Sequence, residues 1–516
     1  MPINRKALWT ATLLIFGLVP LAAFPQGKPL SAIDWLSDTV AKPQRPAAPI
    51  EAPIKPVGEV APITTSAISD RNLDAVGILP VSMTGFDPRL WAGSSVVTLG
   101  ELIKGDQPEP LPALRDLFQT LMLAEVDAPL DADGSGAFLL TRIDRLLELG
   151  ELEAAQALIQ AAGRPTAELY RRSFDIALLL GTENTACEVQ RSTPRIAPTF
   201  PARIFCLARN GDWAAAALTF NTAQALGHLS AEEEAILDRF LDTENFDEAE
   251  PLRAPERVTP LLLRLYEAIG EPITPTNLPI AFAFGDLSET TGWKARLEAG
   301  ERLARAGAIT PARMMALYNE RAPAASGGVW DRARAVQQLD RALKDRDLEA
   351  LAQVLPRLWQ MLSDLELEVP FAEVYGSRLA EVGLTGQAGA LAFRIGLLGP
   401  NYERVASVHK TDDPEEAFLA GLALGFLDVR PPPSGLARAV APVFGRTLPE
   451  LSPQNAQLLA QSRRGEATLL AIRRVTAGSM GDLRGVTEGL ATLRRLGLEP
   501  AARKAALQLM LLERRG

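Results

Sequence analysis

Apolar residues recur at helical spacing from about residue 111 to the end of the chain. Two consecutive stripes have this spacing: Leu139, Ile143, Leu146 and Leu147, then Leu152, Ala155, Leu158, Ile159 and Ala162. Gly150 lies between them, at a position where helices commonly end with a positive φ. Two amphipathic helices joined by a short glycine turn form an αα-hairpin, which is our prediction for this segment.

The same junction occurs at five places. The pattern Leu-x-x-x-Gly-x-x-x-x-Ala is present at Leu146/Gly150/Ala155, Leu207/Gly211/Ala216, Leu303/Gly307/Ala312, Leu379/Gly383/Ala388 and Leu493/Gly497/Ala502. The leucine fills the core from the first helix, the glycine makes the turn, and the alanine lets the second helix approach closely. The junctions are irregularly spaced, so further hairpins are expected between them. The sequence therefore predicts an all-α fold, an irregular αα-hairpin superhelix.

Composition supports this fold class. Apolar residues make up 47% of the 516 residues, but aromatic residues only 6%. Leu and Ala carry most of the apolar share, and both lose little entropy in a helix.

The first 24 residues resemble an export signal. Arg5 and Lys6 precede an uncharged apolar stretch, residues 7–24, with a small-residue site at Leu21-Ala22-Ala23. We predict that residues 1–23 are a signal peptide or, uncleaved, a signal anchor in the inner membrane. Both alternatives place the rest of the chain in the periplasm.

A proline-rich stretch follows, residues 24–75, which we predict to be a disordered tether. One apolar island interrupts it, formed by Ile33, Trp35, Leu36 and Val40. This island is either a docking peptide for a partner's groove or a segment that folds back on its own helices. Residues 76–110 contain many Gly, Pro and Ser residues and predict an irregular strap along the helical body.

Residues 111–430 are predicted to form the superhelix. The run Arg430-Pro-Pro-Pro-Ser-Gly435 breaks the helical pattern. We therefore assign residues 431–516 to separate C-terminal helical repeats.

Cys187 and Cys206 are the two cysteines of the chain. The proline-containing stretch between them would let adjacent antiparallel segments bring them together. An oxidising periplasm would then close a disulfide, although two buried thiols also fit the pattern.

These helical features resemble the tetratricopeptide-like helical repeat superfamily, over roughly residues 111–516. That resemblance implies a protein-binding scaffold, although the strict 34-residue signature is missing. The chain is also similar to the helical superhelix of some lytic transglycosylases, without their catalytic domain. Exported Ala/Pro-rich bacterial proteins of this kind are sometimes labelled "antifreeze glycopeptide", but the Ala-Ala-Thr array which that label requires is absent here.

The formal net charge of −10 argues against nucleic acid as a partner, because an acidic chain repels phosphates. From Asn455 onward, however, the chain contains eleven Lys and Arg residues but only five Asp and Glu residues. We interpret this excess as solvated helix faces, and contact with an acidic partner or an anionic membrane is the alternative.

Candidate chemistry is sparse. His228 and His409 are the only histidines, and neither accompanies a second metal-ligand pattern. Asp131, Asp133 and Ser135 copy the first half of a calcium loop, but its last position is Arg142, so a turn is the simpler interpretation. Ser407 and Lys410 match Ser-x-x-Lys without the motifs that normally accompany it.

We therefore expect a non-catalytic protein without metal or cofactor. Its predicted role is an extracytoplasmic scaffold or adaptor that binds envelope proteins. The alternative is a peptidoglycan-binding accessory module of a wall enzyme.

Overall fold

Helices account for nearly all regular structure in the computed structural model, which describes residues 33–36, 72–105, 109–163, 165–242, 250–428 and 434–512. The fold class is all-α, as predicted. The helices up to residue 268 are α1 Val81–Thr84, α2 Val96–Lys104, α3 Pro112–Leu123, α4 Ala137–Glu148, α5 Leu152–Ala161, α6 Ala167–Leu180, α7 Glu183–Ser192, α8 Phe200–Arg209, α9 Trp213–Ala225, α10 Ala231–Leu241 and α11 Pro260–Ala268.

The later helices continue to the end of the described chain. They are α12 Trp293–Arg305, α13 Pro311–Asn319, α14 Val329–Asp345, α15 Leu348–Ser363, α16 Glu368–Glu381, α17 Gly386–Leu398, α18 Tyr402–Val408, α19 Pro414–Ala423, α20 Gly435–Val440, α21 Pro453–Ala460, α22 Arg464–Ser479, α23 Leu483–Arg495 and α24 Glu499–Leu511. No helix within the described ranges has both the length and the apolar character that crossing a bilayer requires.

Short elements of other kinds connect the helices. Two strands of two residues each, β1 Leu79–Pro80 and β2 Ala124–Glu125, pair in parallel. The 3-10 helices are Leu73–Ala75, Pro194–Ile196, Pro275–Asn277, Ile280–Leu287 and Ala441–Phe444.

Local sequence explains where many helices begin. Ser230 caps α10, and its side chain and that of Glu233 form a reciprocal capping box. Thr310 caps α13, and Pro311 follows at a position that needs no backbone N–H donor. These residues satisfy or remove backbone donors that otherwise lack partners at a helix start.

All five junction glycines lie in turns between consecutive packed helices. Gly150, Gly211, Gly307, Gly383 and Gly497 have φ values between 75° and 89° and separate α4/α5, α8/α9, α12/α13, α16/α17 and α23/α24. Two flanking positions differ from the expected pattern. Ala312 is exposed, because α13 packs through Met314, Met315 and later residues instead. Leu207, on α8, is half-buried.

Helices from the two ends of the described chain pack against each other. Helix α24 contacts α3 as well as α17, α19 and α23, while α22 contacts α2 and α3. Helices after the proline run at residues 430–435 therefore share contacts with helices before it. The described residues from Ile33 onward belong to one compact unit.

Buried apolar residues form two clusters. The larger extends through most of the helices, from Ile33 to Leu512. The second cluster, between Tyr170 and Tyr266, is built mainly by α6 to α11. This division gives the α7–α10 segment a hydrophobic core of its own.

Several described segments before residue 111 contact the helical body. Within the predicted tether, residues 33–36 pack on the helices, and Asp74 accepts hydrogen bonds from backbone N–H groups at the start of α4. The predicted strap contains the regular nine-residue helix α2. Residues 1–32 and 37–71, including the predicted signal and Val40, lie outside the described residues.

Arg142 fastens this region to α4. Its buried guanidinium donates to four backbone carbonyls, those of Asp74, Val76, Met122 and Ala124. Burial lowers the pKa of Arg142 to about 10, and the charge of Asp74 raises it in part. Arg142, which breaks the calcium-loop pattern in the sequence, thus connects α4 to the backbone at residues 74–76 and 122–124.

Candidate functional site

The Trp35 island is occupied by contacts within its own chain. Ile33, Trp35 and Leu36 are buried, and the Trp35 ring meets Phe282 edge-to-face with 5.6 Å between centroids. Arg257 donates hydrogen bonds to the backbone carbonyls of Asp34 and, at 2.8 Å, Leu36. In the structure, residues 33–36 of the island therefore fold back on the chain's own helical body, which was one of the two interpretations. In this arrangement these side chains do not present a docking motif to a partner.

Cys187 and Cys206 form a disulfide between α7 and α8. Both residues are buried in the second cluster, and their Cα atoms lie 5.0 Å apart. The 3-10 turn Pro194–Ile196 reverses the chain between the two helices. The disulfide therefore links two consecutive, packed helices inside this cluster.

Helix α9, in the second cluster, exposes apolar side chains. The exposed fractions are 51% for Trp213, 69% for Leu218 and 62% for Leu226, the residue that caps the helix. Nine of the thirteen residues of α9 are Trp, Ala, Leu or Phe, and they occur on all sides. A helix that is apolar on all sides is normally buried on all sides. We refer to Leu218 and Leu226 as the α9 surface, because Trp213 lies on another side of the helix, with its ring centroid 6.0 Å from that of Phe240.

Two junction turns meet at a cavity of about 370 Å³, which we call the junction cavity. A β-carbon on Gly150 would lie 2.9 Å from Ile280 and 3.5 Å from Ala308, and one on Gly307 would collide with the guanidinium of Arg115. The glycines thus permit close approach of the turns as well as a positive φ. The cavity is lined from α3, the α4–α5 turn, the α12–α13 turn and α16 by Pro112, Arg115, Asp116, Gln119, Glu151, Glu153, Ala154, Ala304, Gly307, Ala308, Ile309, Thr310, Pro311, Val369, Pro370 and Glu373.

Carboxylates dominate the polar lining of this cavity. Glu151 precedes α5 at its N-cap position, without a side-chain capping bond, and is only 3% exposed, whereas Asp116 and Glu373 are exposed. Burial raises the pKa of Glu151 to about 7, although hydrogen bonding with Gln119 and the charge of Arg115 oppose the rise. Loss of hydration also raises the pKa values of Asp116 and Glu373. The site favours protonated carboxyl groups or a bound hydrogen-bond donor.

Sequence reasoning did not identify these carboxylates. Glu151 directly follows a junction glycine, but an acid also follows Gly211, at the exposed Asp212. The local pattern therefore gives no signal that separates the buried acid from the exposed one. Glu151 is buried because α3 and the α12–α13 turn meet the α4–α5 turn around it.

The other motifs have structural roles. His228 stacks on Phe200, and His409 stacks on Phe393 with its Nε2 2.8 Å from Glu416. Asp131 accepts a hydrogen bond from the backbone of Val96, and Asp133 accepts one within its own turn from Ser135. The hydroxyl of Ser407 donates to a carbonyl of its own helix. Among the described residues, no group of three or more His, Cys, Asp or Glu could hold a metal ion.

Several arginines of the basic C-terminal region have partners within the chain. Arg463 pairs with Glu466, Arg464 with Asp87, and Arg474 with Glu488. Arg473 donates to the carbonyl of Leu102 at 2.6 Å, and Arg494 to that of Val443. Some arginines of this region thus connect different elements of the fold through ion pairs and hydrogen bonds.

Comparison of the chain with protein-family models, curated proteins and solved structures found no match.

Proposed function

We propose that this chain is a non-catalytic protein-binding scaffold or adaptor of the cell envelope that works outside the cytoplasm. Its helices would follow one another as an irregular superhelix of αα-hairpins. The five glycine junctions support this arrangement, because each connects two helices that pack directly together.

The exposed α9 surface is the observation that carries the proposal. Leu218 is 69% exposed on a helix whose composition is that of a fully enclosed one. Covering such a surface removes apolar area from water, which stabilises association by about 25 cal/mol per Å² before the costs of binding. Leu226, which is 62% exposed at the end of the same helix, adds to this exposed apolar area.

Two features support a location outside the cytoplasm. The disulfide between Cys187 and Cys206 belongs to an oxidising compartment, since cytosolic thiols are kept reduced. Arg5, Lys6 and the apolar stretch after them have the order of an export signal. Whether residues 7–24 are removed or retained as an inner-membrane anchor does not change the predicted compartment.

The proposal is tested by cross-linking at the α9 surface in the native envelope. A photo-reactive residue is placed at Leu218 in the full chain, and a matched one at Leu348, which is 43% exposed on α15. We expect one defined protein adduct at position 218 and none at position 348. Leu218→Ser should then weaken binding of the purified adduct partner by about tenfold or more, in line with loss of a buried apolar contact.

Equal labelling from both positions, or none from position 218, would contradict a protein-binding α9 surface. Recovery of peptidoglycan fragments alone would favour the alternative role, a wall-binding accessory module.

A further inference from the structure

Residues 33–36 contact the helical body as a bound peptide contacts its receptor. The segment is a single turn, closed by a hydrogen bond from the N–H of Leu36 to the carbonyl of Ile33 at 3.3 Å. Three of its four side chains, those of Ile33, Trp35 and Leu36, are at most 7% exposed, whereas Asp34 is exposed. Short peptides are commonly held in this way, by pockets for some side chains and by hydrogen bonds to their main chain.

The body meets this segment with residues from both sides of α11. Arg257 lies before that helix and donates hydrogen bonds to the main-chain carbonyls of Asp34 and Leu36. Phe282 lies after it, in the 3-10 helix that precedes α12, and contacts the ring of Trp35 edge-to-face. One side chain of the body thus binds the main chain of the segment, and another binds its aromatic ring. We call Arg257 and Phe282 the island site.

The docking of residues 33–36 is a balance of two opposing contributions of similar size. Burial of three apolar side chains stabilises the docked form. Loss of conformational entropy, when four residues and their side chains become ordered, opposes it. The docked and released forms therefore differ little in free energy, and a ligand that binds only to the emptied site can shift the population towards release.

We infer that the island site binds a tryptophan-containing segment of a partner protein, and that residues 33–36 occupy the site when the partner is absent. The ligand class follows from the present occupant. It is an aliphatic residue, any residue, tryptophan and leucine in that order, because the side chain at the second position is exposed. A second copy of this chain fits less well as the partner, since exchanging identical segments forms no new contact and loses the advantage of attachment.

Competition between the ligand and the attached island sets the apparent affinity. Residues 37–71 connect the island to the next described residue, so the island stays close to its own site after release. A ligand attached in this way acts at an effective concentration of about 1 mM. If a free peptide binds the empty site with a Kd of about 10–100 µM, it should bind the occupied site about 10- to 100-fold more weakly.

The test measures fluorescence anisotropy of a labelled peptide with the sequence of residues 30–40. It is titrated with three purified full chains: the unaltered chain, Trp35→Ala, and Ile33→Ser combined with Leu36→Ser. Both substituted chains should have an empty site and bind the peptide with a Kd of about 10–100 µM, while the unaltered chain binds it about tenfold more weakly or less. The same peptide carrying Trp35→Ala should bind to none of the three chains.

A substitution in the body locates the binding. Arg257→Gln, added to the Trp35→Ala chain, should weaken peptide binding by about tenfold, because the two main-chain carbonyls lose a charged donor. Arg253→Gln in the same chain is the matched control, since Arg253 is exposed in the same connection before α11. It should change the affinity by less than about twofold. Arg257 is itself exposed, so its substitution should leave the helical circular dichroism unchanged.

Three results would overturn the inference: no binding by either folded substituted chain up to about 1 mM, equal binding by the unaltered chain, or unchanged affinity after Arg257→Gln. Dimers of the unaltered chain that the peptide converts to monomers would also overturn it, because the occupant would then be a second copy. None of these measurements involves the α9 surface, so the two proposals fail separately.

Discussion

The side chain of Gln508 accepts a hydrogen bond from the backbone N–H of Ala113 at 2.8 Å, across 395 residues of sequence. Ala113 is the second residue of α3, where backbone N–H groups lack acceptors within the helix. A side chain of α24 therefore supplies a partner at the start of α3. This bond joins helices from opposite ends of the described body.

Gln508→Leu should lower the free energy of unfolding by about 1–3 kcal/mol, because the buried N–H of Ala113 loses its acceptor. Urea denaturation followed by circular dichroism measures the change. Gln338→Leu, at an exposed position of α14, is the control and should shift stability by about 0.5 kcal/mol or less. Similar effects at both positions would mean that the Gln508 bond contributes nothing specific.

Gly307→Ala should destabilise the protein more than Gly211→Ala. Both glycines have positive φ, 75° and 83°, so both variants have the backbone cost of about 1–2 kcal/mol. At Gly211 a β-carbon would meet nothing within 4 Å, whereas at Gly307 it would collide with Arg115. Thermal unfolding of the two variants separates the shared backbone effect from the steric one. Equal losses would show that the Arg115 side chain moves aside freely.

Replacing both cysteines with alanine should destabilise the second cluster by about 2–4 kcal/mol, as expected for a disulfide that closes a short loop. Cys187 and Cys206 are 19 residues apart and belong to a core separate from the larger cluster. We therefore expect faster amide hydrogen exchange in α7 and α8 and unchanged exchange in α16 and α17. Uniformly faster exchange would contradict the separation into two clusters.

Trp35→Ala should release the island from the helical body. The variant loses the buried ring contact with Phe282, and truncation of a buried aromatic residue costs up to about 3–5 kcal/mol. Hydrogen exchange should increase in residues 280–287 and around Arg257. Trp213→Ala, at a half-exposed ring, should leave both regions protected. Unchanged exchange in the Trp35 variant would argue against the folded-back arrangement.

The charge state of Glu151 should make stability depend on pH. Its folded pKa of about 7 lies above the usual value of 4.5, so the folded state binds more protons between these limits. The associated stability is fully present below pH 4.5 and is lost as pH rises through 7, by about 3 kcal/mol at most. Glu151→Gln should therefore be more stable than the unaltered protein at pH 8, with little difference near pH 4. Glu153→Gln should not remove this pH dependence in urea denaturation.

The sequence by itself determined the helices and their turns, because these depend on neighbouring residues. Apolar spacing placed the helices on either side of Gly150, and a left-handed turn after a helix favours glycine at any such position. The proline-containing stretch between Cys187 and Cys206 predicted that the chain turns back there and brings the two cysteines close together. These features need no knowledge of distant parts of the chain.

Only the tertiary structure decided which residues the chain buries together. Glu151 and Asp212 follow equivalent junction glycines, yet the approach of α3 and the α12–α13 turn buries the first and leaves the second exposed. The bond from Ala113 to Gln508 and the docking of Trp35 on Phe282 likewise join residues far apart in sequence. Local periodicity specifies which face of a helix is apolar, but the partner of that face depends on how all the helices pack at once.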